Sequence, residues 1–328
     1  MLQGLSVVIP NYNGIALFPH TLPSVFSALD HTGLPYEVIV VDDCSTDDSI
    51  AWLRANYPVI RLLKNERNSG FSVTANKGIR AASHDKVLLL NSDVKLERSY
   101  FEHLQSYFDD PLVFGVMGRI IGWDDDIIQD GAKFPSFHKA KIKTNLNYLL
   151  CNEAEMEGGL LSMYVSGANA LLDRQKFLHA GGFNELFSPF YVEDYELSLR
   201  AWRLGWKCMY EHRAVCRHRT STSIQAKSRK NFIRTISLRN KWYLHSIHLE
   251  GRRRMLWWIQ LVPEILVQLL LFKTFYFKAL VLFVKTYGGV RKSRAALKQL
   301  AGKKELLCID LVASAVRDSI KGKKARYF

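Results

Sequence analysis

The hydrophobic and polar positions of residues 1–120 fall into two alternating kinds of segment. Leu5–Ile9, Glu37–Val41, Val59–Leu63 and Lys86–Leu90 are rich in Val, Ile and Leu without a period of two, the pattern of strands covered on both faces. Between them lie segments with helical spacing: Leu17, Val25 and Leu29; Ile50, Leu53 and Arg54; Val73, Ala75 and Ile79. Ser45 or Thr46 is the expected N-cap of the second helix, with Asp47 and Asp48 in its first turn. This β-α-β alternation predicts an open, mostly parallel sheet. Ligands of such sheets gather beyond the C-terminal ends of the strands.

The predicted strand ends carry polar residues. They read Pro10-Asn11-Tyr12-Asn13-Gly14 after the first strand and Asp42-Asp43-Cys44-Ser45-Thr46-Asp47 after the second. Asn65-Glu66-Arg67-Asn68-Ser69-Gly70 precedes the third helix, and Asn91-Ser92-Asp93 follows the fourth strand. Any single polar loop is unremarked; four in succession point to a binding cleft. No G-x-G-x-x-G follows the first strand and no G-x-x-x-x-G-K-[ST] occurs, which disfavours a dinucleotide dehydrogenase or a P-loop enzyme. Carboxylates at strand ends suit hydrogen bonding to a base or ribose, and a Mg²⁺ or Mn²⁺ ion bridging a diphosphate.

Residues 112–170 are less regular. Val113–Ile121 predicts a strand, and Asp124-Asp125-Asp126 fits an exposed turn better than a metal site. Tyr164–Leu172 reads as a short strand interrupted by small residues. Glu193 and Asp194 stand at the start of a predicted helix with Leu197, Ala201 and Leu204 on its apolar face. Acids there favour the helix dipole, but the aromatic residues before them suit a partly buried general base. His218 follows the apolar run Ala214-Val215-Cys216 and so falls at another strand end, where a metal ligand fits.

Charge divides the chain. Of 328 residues, 48% are hydrophobic and 23% charged, a globular balance, and the net charge is +14. Residues 1–212 hold 19 Lys and Arg against 26 Asp and Glu, a net of −7; residues 213–328 hold 26 against 5, a net of +21. Five cysteines without a C-x-x-C pair exclude a disulfide scaffold and argue against a zinc ribbon. Leu5–Pro10 is too short for a targeting core, so the acidic portion is expected in the cytoplasm. In the basic tail, Arg234, Arg239 and Lys241 share a helical stretch with Phe232, Ile236, Trp242 and Tyr243. Arg252-Arg253-Arg254 then leads into Met255-Leu256-Trp257-Trp258-Ile259. Glu264, Lys273 and Lys278 interrupt the apolar stretch from Met255 to Val284, short of the ~18 apolar residues of a spanning helix. A buried helical appendage is one reading. Nucleic-acid binding is disfavoured, because the aromatic residues belong to apolar helices. The favoured reading is in-plane attachment to the anionic inner face of the cell membrane.

Six segments in order carry a resemblance: Val8–Gly14, Val41–Asp47, Asn68–Phe71, Asn76–Gly78, Leu90–Asp93 and Glu193-Asp194. Together they resemble the inverting family 2 glycosyltransferases, in particular the rhamnosyltransferase-like branch that builds cell-surface polysaccharide. The resemblance covers residues 5–223. It implies an α/β fold of the glycosyltransferase A type, a Rossmann-like mixed sheet flanked by helices. Residues 1–110 would form the nucleotide-sugar half, 111–223 the acceptor half, and 224–328 a basic, apolar helical extension associated with the membrane. Pro10, Asn11, Tyr12, Asn13 and one of Asp42 and Asp43 would hold the base and ribose, and Asn68, Gly70, Asn76 and Lys77 belong to the same donor site. Asn91-Ser92-Asp93 occupies the place of the family's Asp-x-Asp. Asn replaces the first Asp, so Asp93 would be the main carboxylate ligand of Mg²⁺ or Mn²⁺, with Asn91 and Ser92 near the donor. His218 matches a further metal contact, though Thr and Ser replace the Gly usual in the following turn. Asp194, with Glu193 beside it, matches the base. The implied activity is inverting transfer from a nucleotide-sugar to a hydroxyl of a glycan or lipid-linked glycan. A non-catalytic nucleotide-sugar or carbohydrate-binding protein is the alternative. A nucleotidyltransferase would show a Gly-rich basic loop after the first strand, which is absent.

Overall fold

A computed structural model describes residues 3–219, 227–302 and 304–328. The first part alternates as expected: β1 (Leu5–Asn11), α1 (Phe18–His31), β2 (Tyr36–Asp42), α2 (Ser49–Asn56), β3 (Arg61–Lys64), α3 (Phe71–Ala81) and β4 (Lys86–Leu90). These four strands are parallel, in the order β4-β1-β2-β3. Successive residues point to opposite faces. Val8, Ile39 and Leu89 join one buried cluster, while Val7, Val40 and Leu88 join another beneath α1. Gly78 lets α3 lie close on the sheet; a Cβ there would stand 2.3 Å from Val8 Cγ1.

Two local expectations change. The third strand starts at Arg61, and Val59 is exposed in the preceding turn. Helix α2 begins at Ser49, with Asp48 at its N-cap, so Asp47 precedes the helix and accepts the Ser49 amide at 3.1 Å. Ser45 and Thr46 are engaged instead by Asn11 and Asn13.

The chain continues through β5 (Val94–Leu96), β6 (Val113–Gly122), β7 (Ile128–Asp130), β8 (Ala132–His138), β9 (Lys141–Leu150), β10 (Leu160–Leu161), β11 (Asn169–Asp173), α4 (Arg174–His179), α5 (Glu193–Arg203) and β12 (Lys207–His218). Among the described residues, ten strands form one sheet with the main order β10-β12-β6-β11-β4-β1-β2-β3. Strand β11 is antiparallel to both β4 and β6 and joins the two halves. Tyr164–Ala168 is loop, so the strand expected over 164–172 starts only at Asn169. The three aspartates after Trp123 form an exposed turn, with Asp126 paired to Arg217.

The tail folds as α6 (Lys227–His248), α7 (Gly251–Leu270), α8 (Thr274–Lys285), α9 (Tyr287–Ala301), α10 (Ile309–Asp318) and β13 (Ala325–Tyr327). Strand β13 pairs with β9, and β9 with β8, in a separate antiparallel sheet. Helix α6 buries Trp242, Tyr243, Leu244 and Ile247, whereas α7 buries only Trp257 and Leu261. The expected boundary between residues 223 and 224 lies outside the described residues. No described helix is long and apolar enough to cross a membrane.

Candidate active site

The strand ends beyond β1 and β2 are cross-linked by their own polar side chains. Asn11, buried at the end of β1, donates to Asp42 Oδ1 at 3.0 Å and to Ser45 Oγ at 3.2 Å. Asn13 takes a left-handed backbone with φ 57° and accepts the Thr46 amide at 2.8 Å. Asp43 fixes the next loop: its carboxylate accepts from Asn65 Nδ2, the Ser69 amide and the Gly70 amide, each at 2.8 Å. Tyr12 leaves its ring half exposed beyond Pro10, and Asn68 is exposed on the loop Asp43 holds. Asn76 and Lys77 are used differently. Asn76 is buried and exchanges hydrogen bonds with the Phe183 backbone at 2.8 and 2.9 Å, while Lys77 donates to the Lys64 carbonyl and Asn65 Oδ1. These two side chains brace α3.

Beyond β4, the pairing of β5 with β12 sets His218 opposite Val94 and so beside Asp93. His218 Nε2 lies 3.4 Å from Asp93 Oδ2. Its Nδ1 lies 3.1 Å from Gln129 Oε1, while Gln129 Nε2 donates to the His218 carbonyl at 3.4 Å. The amide oxygen can only accept, so Nδ1 donates to it and Nε2 is the nitrogen turned toward Asp93. Asp93 Oδ1 is buried without a hydrogen-bond partner. A carboxylate oxygen lacking a partner beside an imidazole nitrogen fits a divalent cation. Among the described residues no three His, Cys, Asp or Glu side chains converge, so a cation here would have Asp93 and His218 as side-chain ligands, with other positions left for donor oxygens or water.

The carboxylate pair opens α5 after two consecutive left-handed residues, Tyr191 and Val192, each with φ 74°. Asp194 accepts the Tyr195 amide at 2.7 Å and the Gly167 amide at 3.4 Å. Burial raises the proton affinity of both acids, and the charge of Asp194 raises Glu193 further, to about 8. The amide hydrogen bonds and the Lys133 charge work the other way on Asp194 and offset part of the effect of burial. Glu193 Oε2 is buried without a partner.

Lys133, on β8, was missed by sequence reasoning because no motif surrounds it. Its ammonium pairs with Asp130, donates to Asn147 Oδ1 at 3.0 Å and lies 5.0 Å from the Tyr164 ring centre. Burial pulls it down to about 7 against the charge of Asp194, and the Asp130 contact favours the protonated form. Gln129 was missed for the same reason, as were Arg239 and Asn240 of α6, whose side chains reach the segment before α5.

A cleft of about 1210 Å³ joins these parts. Asn91, Gln129, His218, Lys133, Glu193 and Asp194 line it. Asn11, Asn13, Asp42 and Asp43 do not; their side approaches it at Phe71, which follows the Gly70 that Asp43 holds.

The fold is that of the glycosyltransferase A class. It is shared with GalNAc-T7, solved with UDP, GalNAc and Mn²⁺, at TM-score 0.60 and 16% identity over 76% of this chain and 49% of that one. It is shared too with a mannosyltransferase of Pyrobaculum calidifontis, solved with GDP-Man and Mn²⁺, at TM-score 0.53 and 16% identity over 97% and 81% of the two chains. The sequence profile of glycosyl transferase family 2 matches residues 6–177, more than half of the chain, and the protein belongs to that family. Among relatives, the O-antigen chain rhamnosyltransferase RfbN of Salmonella typhimurium is 25% identical over 219 residues, 65% of this chain. The putative teichuronic acid biosynthesis glycosyltransferase TuaG of Bacillus subtilis is 25% identical over 229 residues, 64% of this chain and 88% of its own length. The chain spans 66% of the length of RfbN.

Proposed function

We propose that this protein transfers a sugar, with inversion, from a nucleotide-sugar to a hydroxyl of a glycan or lipid-linked glycan in cell-surface polysaccharide synthesis. The observation that carries this reading is the single cleft lined by both Asp194 and the His218 that faces Asp93. Tyr12 and the Asn11–Asn13 turn would receive the base, and Asp42 and Asp43, through the loops they hold, the ribose and the donor's path to the cleft. Asp93 and His218 would hold Mg²⁺ or Mn²⁺, with Asn91 and Ser92 beside the donor. The ion supplies charge neutralisation of the diphosphate leaving group, worth several kcal/mol in such reactions. Asp194 would accept the proton of the attacking hydroxyl, a role worth about 10²–10⁴-fold. The Lys133 charge favours the ionised form of Asp194 against the effect of burial, and Glu193, raised to about 8, can donate a hydrogen bond to the acceptor. Rhamnose as the transferred sugar rests on the relatives' names alone.

The tail supports attachment to an anionic membrane from the cytoplasmic side. Leu256, Ile259, Val262, Leu266 and Leu270 recur at three- and four-residue steps along α7 and are all exposed, with Met255 beside them, after three consecutive arginines. Such a face suits the interface of a bilayer, with ~1 kcal/mol from each nearby cation.

The test is nucleoside diphosphate release from a panel of dTDP-, UDP- and GDP-sugars with Mg²⁺ or Mn²⁺. Metal-dependent release that disappears in Asp194→Asn supports the reading. Binding without release from any donor would favour the non-catalytic alternative.

A further inference from the structure

We propose that Asn240, oriented by Arg239, is a positioning residue for the active site: one side-chain amide of α6 holds the backbone turn that aims Glu193 and Asp194 into the cleft. The proposal rests on the reading of Asp194 as the base.

Tyr191 and Val192 both occupy the left-handed region, which is unfavourable for a non-glycine residue and persists only where the surroundings impose it. Val192 is also β-branched, the least suited kind of side chain for that backbone. What imposes the turn is visible on both sides. From α3, the Phe71 amide donates to the Pro189 carbonyl at 2.9 Å, and Gly70 has no room for a Cβ, which would stand 2.7 Å from Pro189 Cα.

From α6, the two N–H bonds of the fully buried Asn240 Nδ2 serve three carbonyls, one of them shared: Phe187 at 2.7 Å, Tyr191 at 2.8 Å and Phe190 at 3.0 Å. The orientation of the amide is dictated by its neighbour. Arg239 donates to Asn240 Oδ1 through Nε at 3.0 Å and Nη2 at 2.8 Å. A guanidinium has donors only, so the atom it meets is the oxygen and the NH₂ group must face the loop. Arg239 Nη2 also reaches the Ser188 carbonyl at 2.6 Å, which puts four carbonyls of residues 187–191 under two adjacent side chains. An apolar residue at 240 would leave these carbonyls without that donor, and the turn would relax.

The carboxylates begin one residue after this turn. Their surroundings on other elements are Lys133 from β8, Tyr164 from the loop before β11, and Lys143 and Lys241 across an adjoining cavity of about 630 Å³. Asn240→Asp keeps the side-chain shape and Arg239's acceptor and removes the donor, but adds a carboxylate; Arg239→Lys loosens the same clamp without a change of charge.

The experiment compares wild type, Asn240→Asp and Arg239→Lys by steady-state turnover against pH and by backbone amide exchange, with Asp194→Asn in parallel. In Asn240→Asp, kcat should fall about 100-fold, the scale of a misplaced reacting group. In Arg239→Lys, which adds no charge, the acidic limb of the kcat profile should move to lower pH as water reaches the carboxylates. Exchange should accelerate over 188–195 and stay unchanged in β1, β2 and β4. The fall in kcat and the faster exchange should be smaller in Arg239→Lys, and this variant decides the matter if Asn240→Asp does not fold. Unchanged exchange over 188–195, or a loss of turnover that only tracks loss of folded protein with the acidic limb of Arg239→Lys unmoved, would overturn the proposal. Full turnover by Asp194→Asn would remove the base reading instead, and the exchange comparison would still judge the clamp.

Discussion

His218 Nε2 faces Asp93 Oδ2 at 3.4 Å because Gln129 holds the other side of the ring. The amide fixes which nitrogen donates to it, so Nε2 is the one turned toward the carboxylate. Gln129→Leu should therefore raise the Mn²⁺ concentration for half-maximal activity about 10–100-fold, the usual loss when a support of a metal ligand is removed. Turnover at saturating Mn²⁺ should change far less. A Mn²⁺ activation titration checks this, and Asp93→Ala should have the larger effect in the same assay.

Asp194→Asn should lower kcat by at least about 10²-fold, because an amide cannot take the acceptor's proton. Nucleotide affinity, measured by calorimetry with Mn²⁺, should remain within a few-fold of wild type, since the residues proposed for the base and ribose lie outside the cleft that Asp194 lines. Weakened nucleotide binding with normal turnover would assign Asp194 to the donor.

Lys133→Met should move the acidic limb of kcat upward. The Lys133 charge opposes the burial of Asp194, so its removal lets the Asp194 proton affinity rise further. Activity at pH 6 should fall more than activity at pH 8. The shift is opposite in sign to that expected of Arg239→Lys, and one pH series on the two variants separates them.

Glu193→Gln should stabilise the fold, and increasingly so toward alkaline pH. Glu193 is raised from 4.5 to about 8 by burial and then by Asp194, so the folded state holds a proton that the unfolded state has lost between those values. Folding stability in wild type thus declines as pH rises from 4.5 to 8, and the amide removes the decline. The thermal midpoint difference should widen between pH 5 and pH 8, by roughly 5 °C. A difference constant across that range would mean that Glu193 is ionised throughout.

Leu266→Asp combined with Ile259→Asp should abolish flotation with anionic liposomes without loss of soluble turnover, since both side chains project from the exposed face of α7. High salt should weaken wild-type binding only in part, because the apolar contribution is insensitive to screening.

The sequence showed the nucleotide half well, for a physical reason. Strands β1, β2 and β4 are buried on both faces, and unbroken Val, Ile and Leu runs have few other uses. The β8–β9 hairpin was not read, because Pro135 cannot donate to a ladder and sits where the register slips between Phe134 and Ser136. Ser45 looked like a cap, but its hydroxyl is taken by Asn11 and Asn13 across the sheet, a contact no local pattern reports. The site divides in the same way. Asn91-Ser92-Asp93 and Glu193-Asp194 are contiguous and readable. Gln129, Lys133 and Asn240 act on them from other elements, and only the folded chain brings them near.

The antiparallel strand β11 has a mechanical consequence. It is hydrogen-bonded to β4 on one side and β6 on the other, and the Asn91 amide donates to the Ala168 carbonyl just before it. The β4 side and the β6 side of the main sheet are thus woven together through one strand. Parting these two sides would mean breaking both ladders of β11, so any opening of the cleft falls to elements outside the main sheet, β8, β9 and α6 among them.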